Sequence, residues 1–180
     1  MKTGIFYATS TGTTGQVAEA IAKAMGVADA DVFDVAKVGP DKFDDYEFLI
    51  LGSPTYGSGE VQDDWYDMLD AVKALNLNGK TVAVFGCGDE NMSDTFCGAV
   101  GVIYNAFKTT GARMIGTYNT FPYKFDASEA VPVPGGEAVG LLIDEVNHPE
   151  DTDKRIAGWV ESLKKGSLIA NKNKLTAIDV

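Results

Sequence analysis

The sequence has few of the residues that build metal centres, disulfide bridges and membrane spans. Its 180 residues include one histidine, His148, and two cysteines, Cys87 and Cys97, which stand ten positions apart. One histidine cannot form a metal site on its own, and this cysteine spacing makes no CxxC motif. Two such thiols are typical of a reducing compartment. No apolar run reaches the roughly 18 residues that a membrane helix needs, so we expect no metal and no membrane insertion.

Positive charge is also scarce. Fifteen Lys and Arg residues stand against 26 Asp and Glu residues, which leaves a net charge of −11. An acidic surface repels nucleic acids and anionic membranes, so neither is expected as a partner. The same charge suits a protein partner with a basic docking face, and we expect the chain itself to be a monomer.

Targeting patterns are missing at the amino terminus. Residues 1–7 have neither the long apolar stretch of a signal peptide nor the Arg- and Ser-rich composition of a transit peptide. This composition predicts a cytoplasmic protein, or one of the plastid stroma if a transit peptide has been removed.

What the sequence does contain is an alternation of short apolar runs and amphipathic helices. Six runs predict strands, the last two being a fifth strand and its continuation: residues 4–8, 31–35, 48–51, 81–85, 114–118 and 139–143. The alternation predicts an α/β fold of three layers, with helices on both faces of a five-stranded parallel sheet of order 2-1-3-4-5. One domain is expected over residues 1–165, followed by a polar tail at residues 166–180 that is loosely ordered.

In a sheet of this order, ligands bind beyond the carboxyl ends of the strands. The loop after strand 1, residues 9–14, carries five hydroxyls and a glycine just before a helix. A helix N-terminus binds phosphate through its free N–H groups. The loop is not a Walker motif, which needs a lysine, because no Lys or Arg occurs between Lys2 and Lys23. The alternative for this loop alone is a Ser- and Thr-rich helix cap.

The loops after strands 3 and 4 have their own signals. In residues 52–59, Pro54 stiffens the chain, three glycines allow close backbone approach, and Tyr56 offers a ring for a flat cofactor. Residues 86–95 are glycine-rich and then acidic. Each loop alone also fits an ordinary connection, a surface turn in the first case and a helix cap at Ser93 or Asp94 in the second. Three such loops at one sheet edge are stronger evidence for a ligand site than any one of them alone.

Together these segments resemble the flavodoxin family. Residues 7–14 resemble its Thr/Ser-x-Thr-Gly-x-Thr phosphate signature, and residues 51–56 with 61–65 resemble its second flavin loop and the following helix. Residues 85–89 resemble its third loop. Residues 125–130, 139–141 and 144–145 resemble the insertion and fifth strand of long-chain flavodoxins, so the resemblance covers residues 2–165.

The resemblance implies one non-covalently bound flavin mononucleotide (FMN) and no catalytic residue. The phosphate would be held by Thr9, Ser10, Thr11, Gly12, Thr13 and Thr14. The flavin ring would be lined by Pro54, Thr55, Tyr56, Gly57, Ser58, Gly59, Cys87, Gly88 and Asp89, with Met92, Asp94 and Thr95 as further members. Met92 falls near the place where flavodoxins often have a stacking Tyr, so a thioether covers the outer face of the ring or leaves it more exposed.

By the same resemblance the protein is a low-potential one-electron carrier that substitutes for ferredoxin and is not an enzyme. Its partners would resemble ferredoxin-NADP reductase, photosystem I or other ferredoxin-linked oxidoreductases. Acidic residues in or beside the site oppose only the second electron, because only the fully reduced flavin is anionic. The resemblance also implies that the Gly57–Ser58 peptide flips toward flavin N5 during the first reduction.

Two alternatives share the fold. An FMN-dependent NAD(P)H:quinone reductase would need a nicotinamide site and a substrate pocket, and no motif indicates either. A phospho-acceptor signalling domain would need an acidic cluster after strand 1 and an Asp after strand 3, where hydroxyls and Gly52–Ser53 stand instead.

Overall fold

The computed structural model describes residues 1–176 and the side chains of residues 1–166. Seven strands form the sheet: β1 (Thr3–Tyr7), β2 (Val32–Asp34), β3 (Phe48–Tyr56), β4 (Glu60–Val61), β5 (Thr81–Cys87), β6 (Arg113–Met114) and β7 (Leu141–Ile143). The α-helices of this part are α1 (Thr13–Met25), α2 (Asp64–Val72), α3 (Gly98–Lys108) and α4 (Thr152–Thr176).

The sheet has the predicted order but not the predicted number of strands. Its hydrogen-bonded order is β2-β1-β3-β5-β6, with β4 antiparallel to β3 and β7 parallel to β5. Since β5 is the fourth predicted strand and β6 with β7 are the fifth, the α/β fold and the 2-1-3-4-5 order are confirmed. The prediction of five strands was wrong, because the structure has seven.

Local backbone geometry explains the two additional strands. Gly116 has φ +92° and its carbonyl accepts a hydrogen bond of 2.8 Å from Trp159 Nε1, so the chain leaves the sheet after β6. Pairing with β5 resumes at Leu141, which lies opposite Phe85. The short β4 arises because the chain reverses after Tyr56 and pairs with the end of β3.

Apolar side chains on both faces of the sheet explain its two helical layers. On one face, Val17 and Ile21 of α1 and Trp159 of α4 are buried in one cluster with the central strands. On the other face, Trp65 of α2 and Phe107 of α3 are buried and meet edge to face at 6.4 Å. Because both faces of β1, β3 and β5 are covered, the strand ends are the places where a ligand can reach the sheet.

The long connection between β6 and β7 is held against α4. The Arg155 guanidinium donates hydrogen bonds to the carbonyls of Leu142, Asn119 and Phe121, with 3.0 Å to Leu142 and 2.8 Å to Asn119. It also lies 4.6 Å from the ring of Tyr123. Burial lowers the pKa of Arg155, but the carbonyls keep the cation hydrogen-bonded. This connection is therefore a fixed part of the domain.

The end of the chain differs in form from the expected tail. Helix α4 continues to Thr176, so residues 166–176 are helical, while residues 177–180 lie outside the described part. That the tail is loosely held stays a prediction. Within the described residues, no helix has the length and apolar character needed to span a bilayer.

Candidate cofactor site

The three predicted loops meet at one edge of the sheet and enclose two adjoining depressions, here called the cofactor cavity. The larger has a volume of about 300 Å³ and the smaller about 140 Å³. The larger is lined by Thr9, Thr11, Thr13, Thr14, Pro54, Thr55, Tyr56, Cys87, Gly88, Asp89, Glu145 and Val146. The smaller is lined by Thr55, Tyr56, Gly57, Gly88, Asp89, Met92, Thr95, Phe96 and Cys97.

Most of the predicted site residues therefore lie together, and five do not line the cavity: Ser10, Gly12, Ser58, Gly59 and Asp94. Gly12 instead shapes the first loop, because its φ of +96° permits the turn into α1. Gly59, also at φ +96°, lies against Thr95 and Gly98 at the start of α3. Ser10 and Asp94 are exposed.

The first loop presents an uncapped helix N-terminus. Thr9 Oγ1 accepts a hydrogen bond from Gly12 N at 3.0 Å, which fixes the turn before α1. No side chain caps α1, so its first N–H groups have no partner within the helix. Thr14 is 1% exposed, and its hydroxyl has no hydrogen-bond partner of standard geometry among the described residues. The Cys87 thiol, a weak hydrogen-bonding group, lies beside it, and contact with the hydroxyl partly offsets the burial that raises the pKa of that thiol. Buried polar groups are normally paired, so this orphaned hydroxyl and the free N–H groups fit a bound phosphate.

The second loop is a tight hairpin turn between β3 and β4. Gly59 N donates to Tyr56 O at 3.1 Å, and Gly57 has φ +49°, which favours glycine at this position. Two buried contacts fix the strand before it: Ser53 Oγ accepts from Gln62 N at 3.1 Å, and Trp65 Nε1 donates to Gly52 O at 2.9 Å. The Tyr56 ring remains 38% exposed at the cavity rim, where it can stack on a flat cofactor.

The third loop brings an ionised carboxylate to the cavity. A Cβ at Gly88 would lie 2.9 Å from Cys97 N, so only glycine permits this close approach. Asp89 Oδ1 accepts hydrogen bonds from Asn91 N at 2.9 Å and from Asn147 Nδ2 at 2.8 Å, and these bonds lower the pKa of Asp89. Burial raises the pKa of Cys87 to about 12, so that thiol is neutral.

Negative charge dominates the cavity. No Lys, Arg or His lines either depression in the part of the chain that the structure describes, whereas Asp89 and Glu145 do. Asp63 and Asp64 are exposed on the chain that follows the second loop. A cofactor that becomes anionic on reduction would therefore meet an unfavourable electrostatic field.

Sequence analysis missed four lining residues: Phe96, Cys97, Glu145 and Val146. Phe96 and Cys97 come just before α3. Glu145 and Val146 follow β7, whose carboxyl end lies at the same sheet edge as those of β1, β3 and β5. The rule that located the other loops applies equally to this strand end, and the acidic pair Asp144–Glu145 directly after an apolar run was the available signal.

Comparisons with known proteins agree with this geometry. The family profile described as Flavodoxin matches residues 5–159. Flavodoxin 1 of Escherichia coli K12 is 40% identical over 164 residues, covering 91% of this chain and 93% of that protein. Flavodoxin of Synechocystis sp. PCC 6803 is 40% identical over 165 residues, covering 91% and 96%.

A solved structure extends the match to the fold. Fusobacterium nucleatum flavodoxin, bound to flavin mononucleotide, superposes with a TM-score of 0.83 at 32% identity, covering 92% of this chain and 99% of that one. The profile match, the two relatives and this structure each span most of the chain, and the prediction of the family is confirmed. The chain belongs to the flavodoxin family.

Proposed function

We propose that the protein carries electrons one at a time between redox proteins on one non-covalently bound FMN, in place of a ferredoxin. The observation that carries this proposal is the meeting of an uncapped helix N-terminus, the orphaned Thr14 hydroxyl and the exposed Tyr56 ring around one cavity. The similar Fusobacterium nucleatum protein is described as bound to FMN. When bound, FMN supplies the redox chemistry, and anaerobic stepwise reduction of the FMN-loaded protein tests the proposal.

The residues present divide the binding task between the loops. Thr9, Thr11 and Thr13 with Thr14 surround the start of α1 and would hold the phosphate. Tyr56 would stack on the ring, with Gly57 and Gly88 giving it close backbone contact and Met92, 54% exposed, at its outer side. FMN is favoured over FAD because the first loop offers a cradle for one phosphate and lacks the GxGxxG pattern that accommodates a pyrophosphate.

The acidic lining of the cavity is expected to lower the potential of the second one-electron reduction of FMN. The second electron gives the flavin ring a negative charge, which Asp89 and Glu145 oppose and no lining cation offsets. One unit charge about 10 Å away costs roughly 1.7 kcal/mol at an effective dielectric of ~20. That energy corresponds to about 70 mV at 59 mV per tenfold change in equilibrium constant. A low potential for the second one-electron couple follows, as a ferredoxin substitute requires.

We also propose that the partners dock through basic faces, as in oxidoreductases that resemble ferredoxin-NADP reductase or photosystem I. The net charge of −11 and the exposed Asp63 and Asp64 near the cavity support this docking mode. The chain would act as a monomer in the cytoplasm, and its two buried free thiols fit such a reducing compartment.

Changing Asp63 and Asp64 together to Asn is expected to slow association with a ferredoxin-NADP reductase severalfold at low salt, because local charge steers the encounter. The matched control changes Asp41 and Asp44 to Asn. These exposed residues lie in the 3₁₀ segment before β3, at the opposite end of the sheet, and their loss alters net charge equally. Stopped-flow electron transfer over a range of ionic strength measures the rates. Equal effects of the two double changes would show that net charge, not this surface, does the steering.

A further inference from the structure

The only histidine of the chain lies among carboxylates beside the cofactor cavity. His148 Nε2 is 2.8 Å from Glu90 Oε1, and Nδ1 lies 3.9 Å from Asp151 Oδ2 and 4.0 Å from Glu150 Oε1. From the β6–β7 connection, the Tyr123 ring is centred 5.4 Å from the imidazole, with the Arg155 cation behind it. The hydrogen bond with Glu90 raises the pKa of His148 above its usual range.

Glu90 connects this histidine to the third cofactor loop. It directly follows Asp89, which lines both depressions. Its second carboxylate oxygen accepts from Lys124 N at 2.9 Å, and its own backbone N–H donates to Asp144 Oδ2 at 2.9 Å. Hydrogen bonds from Lys124 N and His148 lower the pKa of Glu90, and His148 is the ion-pair partner of this carboxylate among the described residues.

Asp144 connects the third loop, which carries Glu90, to the segment after β7, which carries His148. This fully buried carboxylate accepts from Glu90 N on the third loop, and from Val146 N and Asn147 N at 2.9 Å each on the segment after β7. Asn147 Nδ2 bridges Asp144 and Asp89 at 2.8 Å to each. Glu90 and His148 are thus linked through short, part-buried hydrogen bonds to Asp89 and Val146, which line the cavity.

We propose that His148 is a positioning residue that takes up a proton from solvent when bound FMN accepts its second electron. The inference rests on the proposed function. With His148 protonated, its pair with Glu90 is neutral. With His148 neutral, Glu90 adds one more negative charge near a cavity whose described lining holds no Lys, Arg or His. The electron that makes the ring anionic therefore favours the protonated imidazole. Linkage is reciprocal, so a protonated His148 favours the second electron to the same extent.

The test uses the single imidazole as its own reporter. In the FMN-loaded protein, proton NMR follows the one histidine ring from about pH 6 to pH 9, first oxidised and then fully reduced under argon. We expect its proton affinity to rise at least about twofold on reduction, equal to about 0.3 pKa unit and about 18 mV at 59 mV per tenfold. An unchanged pKa in the two redox states overturns the proposal.

Two variants separate proton coupling from a merely structural hydrogen bond. His148→Gln keeps a donor for Glu90 but cannot titrate, and Glu90→Gln keeps the contact but removes its charge. In the native protein the second one-electron potential should fall as pH rises through the histidine pKa. This fall should vanish in His148→Gln and move to lower pH in Glu90→Gln, where the imidazole loses the anion that raises its pKa. A fall that persists in His148→Gln contradicts the proposal. If FMN binds and is then reduced in two one-electron steps while these results fail, only this inference fails. If no FMN binds, the proposed function fails with it.

Discussion

Replacing Thr14 with Val is expected to weaken FMN binding by about ten- to a hundredfold, because a hydrogen bond to a charged group contributes ~1.5–3 kcal/mol. Valine keeps the shape of threonine and removes only the hydroxyl. Since the Cys87 thiol is the weak partner nearest to that buried hydroxyl, the apoprotein of the variant should be about as stable as the native apoprotein. Fluorescence titration with FMN and with riboflavin, and thermal unfolding of the apoprotein, measure the two effects.

Thr152 offers a matched control for this change. It also begins a helix, and its hydroxyl is likewise buried without a hydrogen-bond partner among the described residues, but it does not line the cofactor cavity. Thr152→Val should therefore leave FMN affinity unchanged. Thr11→Val, at an exposed position of the same loop, should also weaken FMN more than riboflavin. Equal losses for the two flavins would contradict the assignment of this loop to the phosphate.

Replacing Gly57 with Ala is expected to shift the first one-electron potential by tens of millivolts to more negative values. The resemblance to flavodoxins implies that the Gly57–Ser58 peptide would rotate so that the Gly57 carbonyl would accept a hydrogen bond from the flavin ring after the first reduction. Gly57 already has φ +49° in the hairpin turn, and an alanine at positive φ costs about 1 kcal/mol or more. Its Cβ would also meet the Glu60 carboxylate, the flexible end of a side chain.

The first one-electron potential changes only if alanine costs more free energy in the turn with the rotated Gly57–Ser58 peptide than in the turn before rotation. A difference of about 1 kcal/mol between the two corresponds to ~40 mV at 59 mV per tenfold change in equilibrium constant. Gly79→Ala is the control, because Gly79 has φ +84° and open space around it in a turn between α2 and β5. It should lose similar stability and leave both potentials unchanged. Potentiometric titration decides the matter: an unchanged first couple in a Gly57→Ala protein that still binds FMN tightly would show that this glycine serves only the turn.

Much of the site can be predicted from sequence because its signals are local. A run of hydroxyls before a helix, a proline and glycines around Tyr56, and glycines before Asp89 each follow an apolar strand. The sheet order places the three strand ends side by side, so local patterns become one cavity lined by Thr14, Tyr56 and Asp89. The family, the α/β fold and the strand order follow from the same patterns.

The rest depends on contacts between segments far apart in the chain. The split between β6 and β7 requires Trp159 to bind the carbonyl of Gly116, 43 positions away. In the sequence, Asp144 is an ordinary acidic residue after a strand. Its role in holding the third loop depends on the hydrogen bond that it accepts from the N–H of Glu90, 54 positions away. Hydrophobic periodicity reports which side chains are buried but not which distant polar groups they meet.

Stepwise anaerobic reduction of the FMN-reconstituted protein, followed by its absorption spectrum and by its potentials, tests the electron-carrier account most directly. The account predicts one FMN per chain and two separate one-electron steps, with the second at low potential because the acidic cavity opposes it. It also predicts no steady oxidation of NAD(P)H with a quinone by the protein alone. A single unresolved two-electron step, together with sustained quinone reduction, would contradict the carrier and favour a flavin reductase of the same fold.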